Sequence, residues 1–166
     1  MEQHRPNAWQ LMSQRIAALR PVTKFFSLIL PWIDQRIIAG SKGRVSLTSL
    51  LAGFPIVTLH TIGAKSGQPR SSPLVGIPFG EKYILIASNW GQAHHPSWYG
   101  NLRVHPSVSL TIDGQRHDYI AHEAGGTERD ECWRRAVGVY AGYEAYRLRA
   151  GNRVIPVIVL TPVSAT

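Results

Sequence analysis

The run SVSLTIDGQRHDYIAHEA, residues 107–124, constrains the fold more than any other part of the chain. Apolar and polar residues alternate on both sides of Asp113-Gly114, and this dipeptide favours the positive-φ turn of a β-hairpin. Other short strand-like runs are PIVTLHTI, SSPLVGIPF, KYILIAS and IPVIVLTP, with FGEK as the turn before KYILIAS. Short antiparallel strands with short connections predict a small β-barrel and not a doubly wound parallel sheet.

Two further segments have the pattern of helices. HHPSWYGNL, from His94, has Pro96 near its first turn and ends before Pro106, which predicts a short helix. TERDECWRRAVGVYAGY begins with Thr127 as the predicted N-cap. One face of this second helix, expected to pack on the core, carries Trp133, Ala136, Val137 and Tyr140. The predicted class is therefore α+β, mainly β with flanking helices.

Length and composition indicate one globular domain. The chain has 166 residues, of which 44% are hydrophobic and 17% charged, so it can bury a core. Its single cysteine, Cys132, cannot form an internal disulfide and is expected to be a packing residue. A reducing, cytoplasmic setting follows as the expected location.

Positive charge is concentrated near the N-terminus. The net charge is +8, and residues 1–44 contain seven basic and two acidic side chains. FFSLILPWI, residues 25–33, is uncharged but too short to span a bilayer, and Pro31 interrupts it. Residues 1–45 are predicted to be a basic amphipathic extension, and residues 46–166 the single domain. The extension either lies on an anionic membrane surface, which would make the protein peripheral on the cytoplasmic face, or packs as a helix over the core.

The stretch TIGAKSGQPRSSPL, residues 61–74, combines glycines with residues that can bind anions. It is not a nucleotide phosphate loop, because Ala64 stands where that motif needs a glycine before Lys65. Taken alone, the stretch is either a solvated hairpin turn or an anion site. No Gly-x-Ser-x-Gly nucleophile elbow is present.

Metal and nucleic-acid binding have little support in the sequence. His94 and His95 are adjacent and point apart, and His117 and His122 fall on opposite faces of a predicted strand. No metal is therefore expected. No nucleic-acid partner is expected either, because the basic residues are not interleaved with aromatics in a known nucleic-acid motif.

Several residues suit a flat, anionic aromatic ligand. Lys65 and Arg70 supply positive charge, and ASNWG, residues 87–91, places small residues at a strand end, where backbone can approach a ring. Aromatic walls could come from Trp98, Tyr99, Tyr140, Tyr143 and Tyr146. Since the three later tyrosines recur every third residue, they could equally be one packed helix face.

Four blocks together, TIGAKSGQPRSSPL, IASNWGQAHHPSWYGNLRVHP, VGVYAGYEAYR and IPVIVLTP, resemble the deazaflavin-dependent nitroreductase family. That family consists of antiparallel split β-barrel proteins, similar to FMN-binding proteins, that bind coenzyme F-420. The basic N-terminal segment is similar to that of the family's quinone-reductase branch. The resemblance implies hydride transfer from the reduced deazaflavin to a small-molecule acceptor such as a quinone, an enone or a nitroaromatic.

The resemblance also implies roles for individual residues. Lys65 and Arg70 would hold the coenzyme phosphate, assisted by the backbone around Ala64 and Ser66. Residues implied to line the ring are Ser71, Ser72, Pro73, Leu74, Val75, Ile86, Ala87, Ser88 and Asn89. Further coenzyme contacts are implied for Ser97, Trp98, Tyr99, Gly100 and Asn101. Tyr143 would cover the ring or the acceptor, and the candidate proton donors are Tyr143, Tyr146 and Ser88.

Two alternatives stay open from the sequence. FMN shares the ring shape and the ribityl phosphate, so an FMN-dependent oxidoreductase would have a similar site. A non-catalytic module that binds an anionic membrane through its N-terminus is the alternative outside enzymology. The sequence identifies neither the acceptor nor an interface between subunits.

Overall fold

A computed structural model describes residues 54–163. These residues form seven strands: β1 (Ile56–Ile62), β2 (Pro69–Val75), β3 (Ile77–Phe79), β4 (Lys82–Ile86), β5 (Ser107–Ile112), β6 (Gln115–Glu123) and β7 (Val157–Pro162). Three α-helices accompany them: α1 (Ser97–Val104), α2 (Gly126–Val139) and α3 (Gly142–Ala150), with a short 3-10 turn at Asn89–Gly91. The predicted extension, residues 1–45, lies outside the described residues, so its helical form and its membrane association stay predictions.

All seven strands belong to one antiparallel sheet with the order β2-β1-β5-β6-β7-β4-β3. β2 and β3 stand at opposite ends of this order, yet only Gly76 separates them along the chain. The sheet must therefore curl until its two ends meet at Gly76. This is the split barrel that the sequence predicted.

Gly76 is required by the closeness of the neighbouring strand. Its N–H donates a hydrogen bond to the carbonyl of Pro55 at 2.9 Å. A methyl group added at Gly76 would lie 2.7 Å from both γ carbons of Val57. A residue with a side chain cannot occupy this bend without displacing β1.

Two separate cores stabilise the sheet. Inside the barrel, buried residues from β1, β4, β5, β6 and β7 pack with three residues of α1: Trp98, Tyr99 and Leu102. On the outside, α2 and α3 cover the opposite face of β3, β4 and β7, in a core that contains Ile84, Val157 and Cys132. Cys132 is fully buried, as predicted. Burial raises the pKa of its thiol, which keeps it neutral.

The hairpin prediction is confirmed, whereas two helix predictions are wrong. Asp113 and Gly114 have φ angles of 50° and 82° and connect β5 to β6. Gly125, not Thr127, is the N-cap of α2, and the predicted single helix is two, because the chain is extended at Tyr140. Gly126 at the start of α2 has a φ of 50°, a conformation that favours glycine. Among residues 54–163, no helix has the length and apolar character needed to cross a bilayer.

Gly76→Ala tests the closure of the barrel. The added methyl group would overlap Val57, so the free energy of unfolding should fall by about 1–3 kcal/mol. Gly138→Ala is the matched control, because a methyl group there meets open space and α2 should gain roughly 0.5–1 kcal/mol. Urea unfolding of both variants provides the comparison. Equal stability of Gly76→Ala and the unsubstituted protein would contradict the tight closure.

Candidate functional site

Most of the predicted site residues lie at one rim of the barrel. β1 and β4 run in the same direction, because each is connected to β6 by an even number of antiparallel pairings. The loop after β1 and the segment after β4 therefore emerge at the same end, here called the site rim. α1 contacts β1 and leads into β5 at this rim.

The loop between β1 and β2, residues 63–68, is a closed turn. The Gly63 N–H donates to the carbonyl of Gln68 at 2.9 Å, and the Gly67 N–H donates to the carbonyl of Gly63 at 2.8 Å. Gly67 has a φ of 64°, a conformation that favours glycine. The loop is thus held by its own backbone, as the hairpin interpretation expected.

Asn101 fixes this loop to α1. Its side-chain oxygen accepts a hydrogen bond from the Ala64 N–H at 3.0 Å, and its side-chain nitrogen donates to the Thr61 hydroxyl at 3.0 Å. The Ala64 amide is therefore already bonded, and Asn101 acts on the loop. Both residues were predicted to contact the coenzyme; the geometry gives them a supporting position.

Lys65, Ser66 and Arg70 form the part of the loop suited to an anion. All three are exposed, and neither Lys65 nor Arg70 has an acidic partner among residues 54–163. The backbone amides of Lys65 and Ser66 make no hydrogen bond within this range. A methyl group added at Gly63 would lie 2.5 Å from Ser66 Oγ and 3.8 Å from Arg70 Nε. The side chains of Ser66 and Arg70 therefore lie close together beside Gly63. Exposed lysine and arginine side chains with unbonded amides are chemically suited to an anion.

The side chains of β2 are divided between the two faces of the sheet. Ser72 and Leu74 pair with Leu59 and Val57, whose side chains fill the barrel. Ser71 lies on the outer face, where its hydroxyl is 2.9 Å from Nδ1 of His60. Because side chains alternate along a strand, the predicted stretch Ser71 to Val75 cannot present all five side chains to one ring.

Strand β4 continues into a sharply turned segment at the site rim. Ile86 is buried in the outer core and Ala87 is buried in the barrel. The two side chains therefore point to opposite faces of the sheet, and one ligand cannot contact both. Ser88 is 9% exposed. Asn89 donates from its side chain to the carbonyl of His94 at 2.9 Å, which folds the segment back on itself.

Arg153, which the sequence analysis missed, ties this segment together. Its Nη2 donates to the carbonyl of Ser88 at 2.6 Å, and its Nε donates to the carbonyl of Gln92 at 2.8 Å. Its Nη1 lies 3.3 Å from the carbonyl of Ala87 and 3.2 Å from Nδ1 of His95. An isolated arginine before a buried strand carries no local pattern that would identify these contacts.

In α1 the predicted contact residues fall into two groups. Trp98 and Tyr99 are buried in the barrel, and the Tyr99 hydroxyl donates to Oε2 of Glu123 at 2.8 Å. Ser97 and Gly100 are exposed, and the space beside Gly100 is open. Only these two residues of the predicted group present an unobstructed surface.

Tyr140, Tyr143 and Tyr146 form an edge-to-face cluster under α3. Their ring centroids are 5.2, 5.8 and 6.2 Å apart, although Tyr140 precedes the helix that carries the other two. Trp90, in the segment after β4, lies 6.0 Å from the ring of Tyr146. The cluster therefore connects the outer core to the site rim.

The hydroxyls of this cluster differ in availability. Tyr140 and Tyr146 are hydrogen-bonded to each other at 2.9 Å. The Tyr143 hydroxyl makes no hydrogen bond within residues 54–163. In this range every fully buried side-chain oxygen or nitrogen has a hydrogen-bond partner. The small exposed part of Tyr143 therefore includes its hydroxyl. Burial raises the pKa of Tyr143 and Tyr146, so both phenols stay protonated at neutral pH.

Two other features lie apart from this arrangement. An open depression of about 500 Å³ at the β3–β4 hairpin is lined by residues 79–82 with Thr161 and Pro162, at the opposite end of β4 from Ser88. It contains none of the predicted site residues. Within residues 54–163, no group of three or more His, Cys, Asp or Glu side chains is placed to hold a metal ion.

The sequence profile of the F-420H(2)-dependent quinone reductase family matches residues 33–162. The chain belongs to this family. The match begins inside the predicted N-terminal extension and includes every residue of the site rim. An F-420H(2)-dependent quinone reductase of Mycobacterium tuberculosis is 33% identical over 132 residues, which are 78% of this chain and 87% of that protein.

Solved structures agree with the family assignment. The F-420-H2-dependent reductase FDR-A is 39% identical, with a TM-score of 0.60 over 64% of this chain and 94% of that one. A second structure, described as a domain-swapped dimer, is 32% identical, with a TM-score of 0.62 over 79% of this chain and 98% of that one. These similarities confirm the family resemblance and the split-barrel fold.

Phenylalanine substitutions test how much each tyrosine hydroxyl contributes to stability. Tyr146→Phe removes the partner of the buried Tyr140 hydroxyl and should lower the free energy of unfolding by about 1–3 kcal/mol. Tyr143→Phe removes a hydroxyl with no partner in the described residues, so its effect should stay within about 0.5 kcal/mol. Thermal and urea unfolding give both values. The account is contradicted if Tyr143→Phe is the more damaging change.

Proposed function

We propose that the protein is an oxidoreductase that uses reduced coenzyme F-420 to reduce a quinone. The observation that carries this proposal is the loop between β1 and β2, at the rim of a split barrel of this family. The side chains of Lys65 and Arg70 and the unbonded backbone amides of Lys65 and Ser66 lie at this loop. A phosphate is the anion that such a donor set suits best.

Lys65, Ser66 and Arg70 would hold the phosphate of the coenzyme. Asn101 would keep the loop in register with α1 through its two hydrogen bonds. Because Lys65 and Ser66 lie in the turn between β1 and β2 and Arg70 follows it, they could bind the tail while β2 and the segment after β4 border the ring. Ser72 and Leu74, or Ser71, Pro73 and Val75, would supply one wall, since only one row of β2 can face the ring.

When bound, reduced coenzyme F-420 would supply a hydride, and formation of a hydroquinone from the quinone also requires one proton. Tyr143 has a hydroxyl that is not engaged by the described residues, and its raised pKa keeps the proton on the oxygen. It is therefore suited to donate a hydrogen bond to the carbonyl oxygen of the acceptor. Tyr146 is less suited, because its hydroxyl is bonded to Tyr140. Ser88 is nearly buried, and only a small part of it is reachable.

The family description favours one class of acceptor and one coenzyme. A quinone agrees with the family's description, whereas enones and nitroaromatics are proposed only because they share its electrophilic character. FMN has the same kind of phosphate, so the loop by itself does not distinguish the two coenzymes. Family membership favours coenzyme F-420.

Lys65→Ala and Arg70→Ala test the phosphate site. A charged hydrogen bond contributes roughly 1.5–3 kcal/mol, so each substitution should weaken coenzyme F-420 binding roughly 10- to 150-fold. Stability should hardly change, because both side chains are exposed. Calorimetric titration with coenzyme F-420 and, separately, FMN measures affinity and coenzyme preference together.

Lys82→Ala is the matched control for these titrations, because Lys82 begins β4 at the opposite rim. Its coenzyme affinity should equal that of the unsubstituted protein. If Lys65→Ala and Arg70→Ala also bind as tightly as the control, the loop is an ordinary turn and the phosphate site is wrongly placed. Tighter binding of FMN than of coenzyme F-420 would instead favour the FMN-dependent alternative.

A further inference from the structure

The segment after β4 has an unusual backbone. Three consecutive residues have positive φ angles: Asn89 at 46°, Trp90 at 57° and Gly91 at 75°. Asparagine and glycine tolerate this region, but a tryptophan does so rarely. Such residues persist only where the surrounding structure holds them, and they concentrate at functional sites.

Close packing explains only part of this conformation. Gly91 is required because a methyl group there would lie 2.8 Å from the carbonyl oxygen of Tyr146. The guanidinium of Arg149 donates to the carbonyl of Trp90 at 3.1 Å. These contacts hold the middle of the segment against α3 but leave its two ends unexplained.

Arg153 joins the two ends. Its guanidinium reaches the carbonyls of Ala87 and Ser88 at the start of the segment and the carbonyl of Gln92 beyond the turn. A planar guanidinium is suited to this role, because its five N–H donors can serve several carbonyls in fixed directions. A lysine ammonium has fewer donors at a single point and cannot reproduce this geometry.

The same guanidinium also orients His95. Arginine can only donate, so Nδ1 of His95 must accept the hydrogen bond at 3.2 Å and carry no proton. The remaining proton of the neutral imidazole is therefore on Nε2. Burial and the charge of Arg153 lower the pKa of His95, in agreement with a neutral ring. The ring lies 5.0 Å from that of Tyr99, on α1.

We propose that Arg153 is a positioning residue for the coenzyme site, holding residues 87–95 in the conformation that borders the ring. This inference rests on the proposed function, because it assumes that the segment is part of that site. Arg153 acts through backbone carbonyls and the ring of His95 and is not assigned a contact with the acceptor. Its effect should therefore appear in coenzyme binding and in the dynamics of the segment.

Arg153→Ala is compared with Arg134→Ala, since Arg134 is an exposed residue of α2 whose side chain makes no hydrogen bond or ion pair among residues 54–163. In Arg153→Ala, residues 87–95 should exchange amide hydrogens at least 10-fold faster in the absence of coenzyme. Coenzyme F-420 should bind roughly 10- to 100-fold more weakly, the usual range for the loss of a supporting contact. Arg134→Ala should match the unsubstituted protein in both measurements.

Rescue separates positioning from a general loss of structure. Millimolar guanidinium chloride should restore much of the coenzyme affinity of Arg153→Ala, whereas sodium chloride at equal concentration should not. If Arg153→Ala does not fold, Arg153→Lys is measured in the same way and should show an intermediate loss. Unchanged exchange and unchanged affinity in the folded variant overturn the inference.

The failure of this inference can be distinguished from the failure of the proposed function. If the unsubstituted protein does not bind coenzyme F-420, the proposed function and the inferred role in its coenzyme site fail together. If the unsubstituted protein binds and Arg153→Ala binds equally well, with unchanged exchange, only the role of Arg153 is wrong.

Discussion

The closure of the sheet at Gly76 is the constraint on which the rest of the structure depends. Because β2 and β3 are consecutive along the chain but terminal in the sheet, the barrel closes only if this bend is tight. The methyl carbons of Val57 leave no room for a side chain there. Closure gives the barrel an apolar interior, and it also brings the ends of β1 and β4 to one rim. The position of the candidate site follows from this topology.

Much of the fold could be predicted from local patterns. The hairpin at Asp113-Gly114 was predictable because a two-residue turn needs positive φ angles, which aspartate and glycine tolerate. The N-cap of α2 was not, because Thr127 has a suitable side chain but the chain enters the helix two residues earlier, at Gly125. Tyr140 continues the helical spacing of its neighbours, yet its backbone is extended. In this conformation the ring of Tyr140 packs against those of Tyr143 and Tyr146, a contact that helical spacing does not predict.

The segments that form the candidate site could be predicted from the sequence. The roles of individual side chains within them mostly could not. Family-specific blocks identified the loop, the segment after β4 and α1, and the fold brings them to the site rim. Asn101 and Ala64 are bonded to each other, and Trp98 fills the barrel. Arg153 is distant in sequence from the carbonyls it binds. Long-range contacts of this kind need the folded chain before they can be recognised.

The central claim is that this protein transfers hydride from coenzyme F-420 to a quinone, and a single-turnover experiment tests it most directly. Protein loaded with a stoichiometric amount of reduced coenzyme F-420 is mixed without oxygen with excess menadione, and the absorbance of the oxidised coenzyme is followed. The account predicts one equivalent of oxidised coenzyme per equivalent bound, at a rate well above that of the same mixture without protein. Equal rates with and without the protein would contradict it.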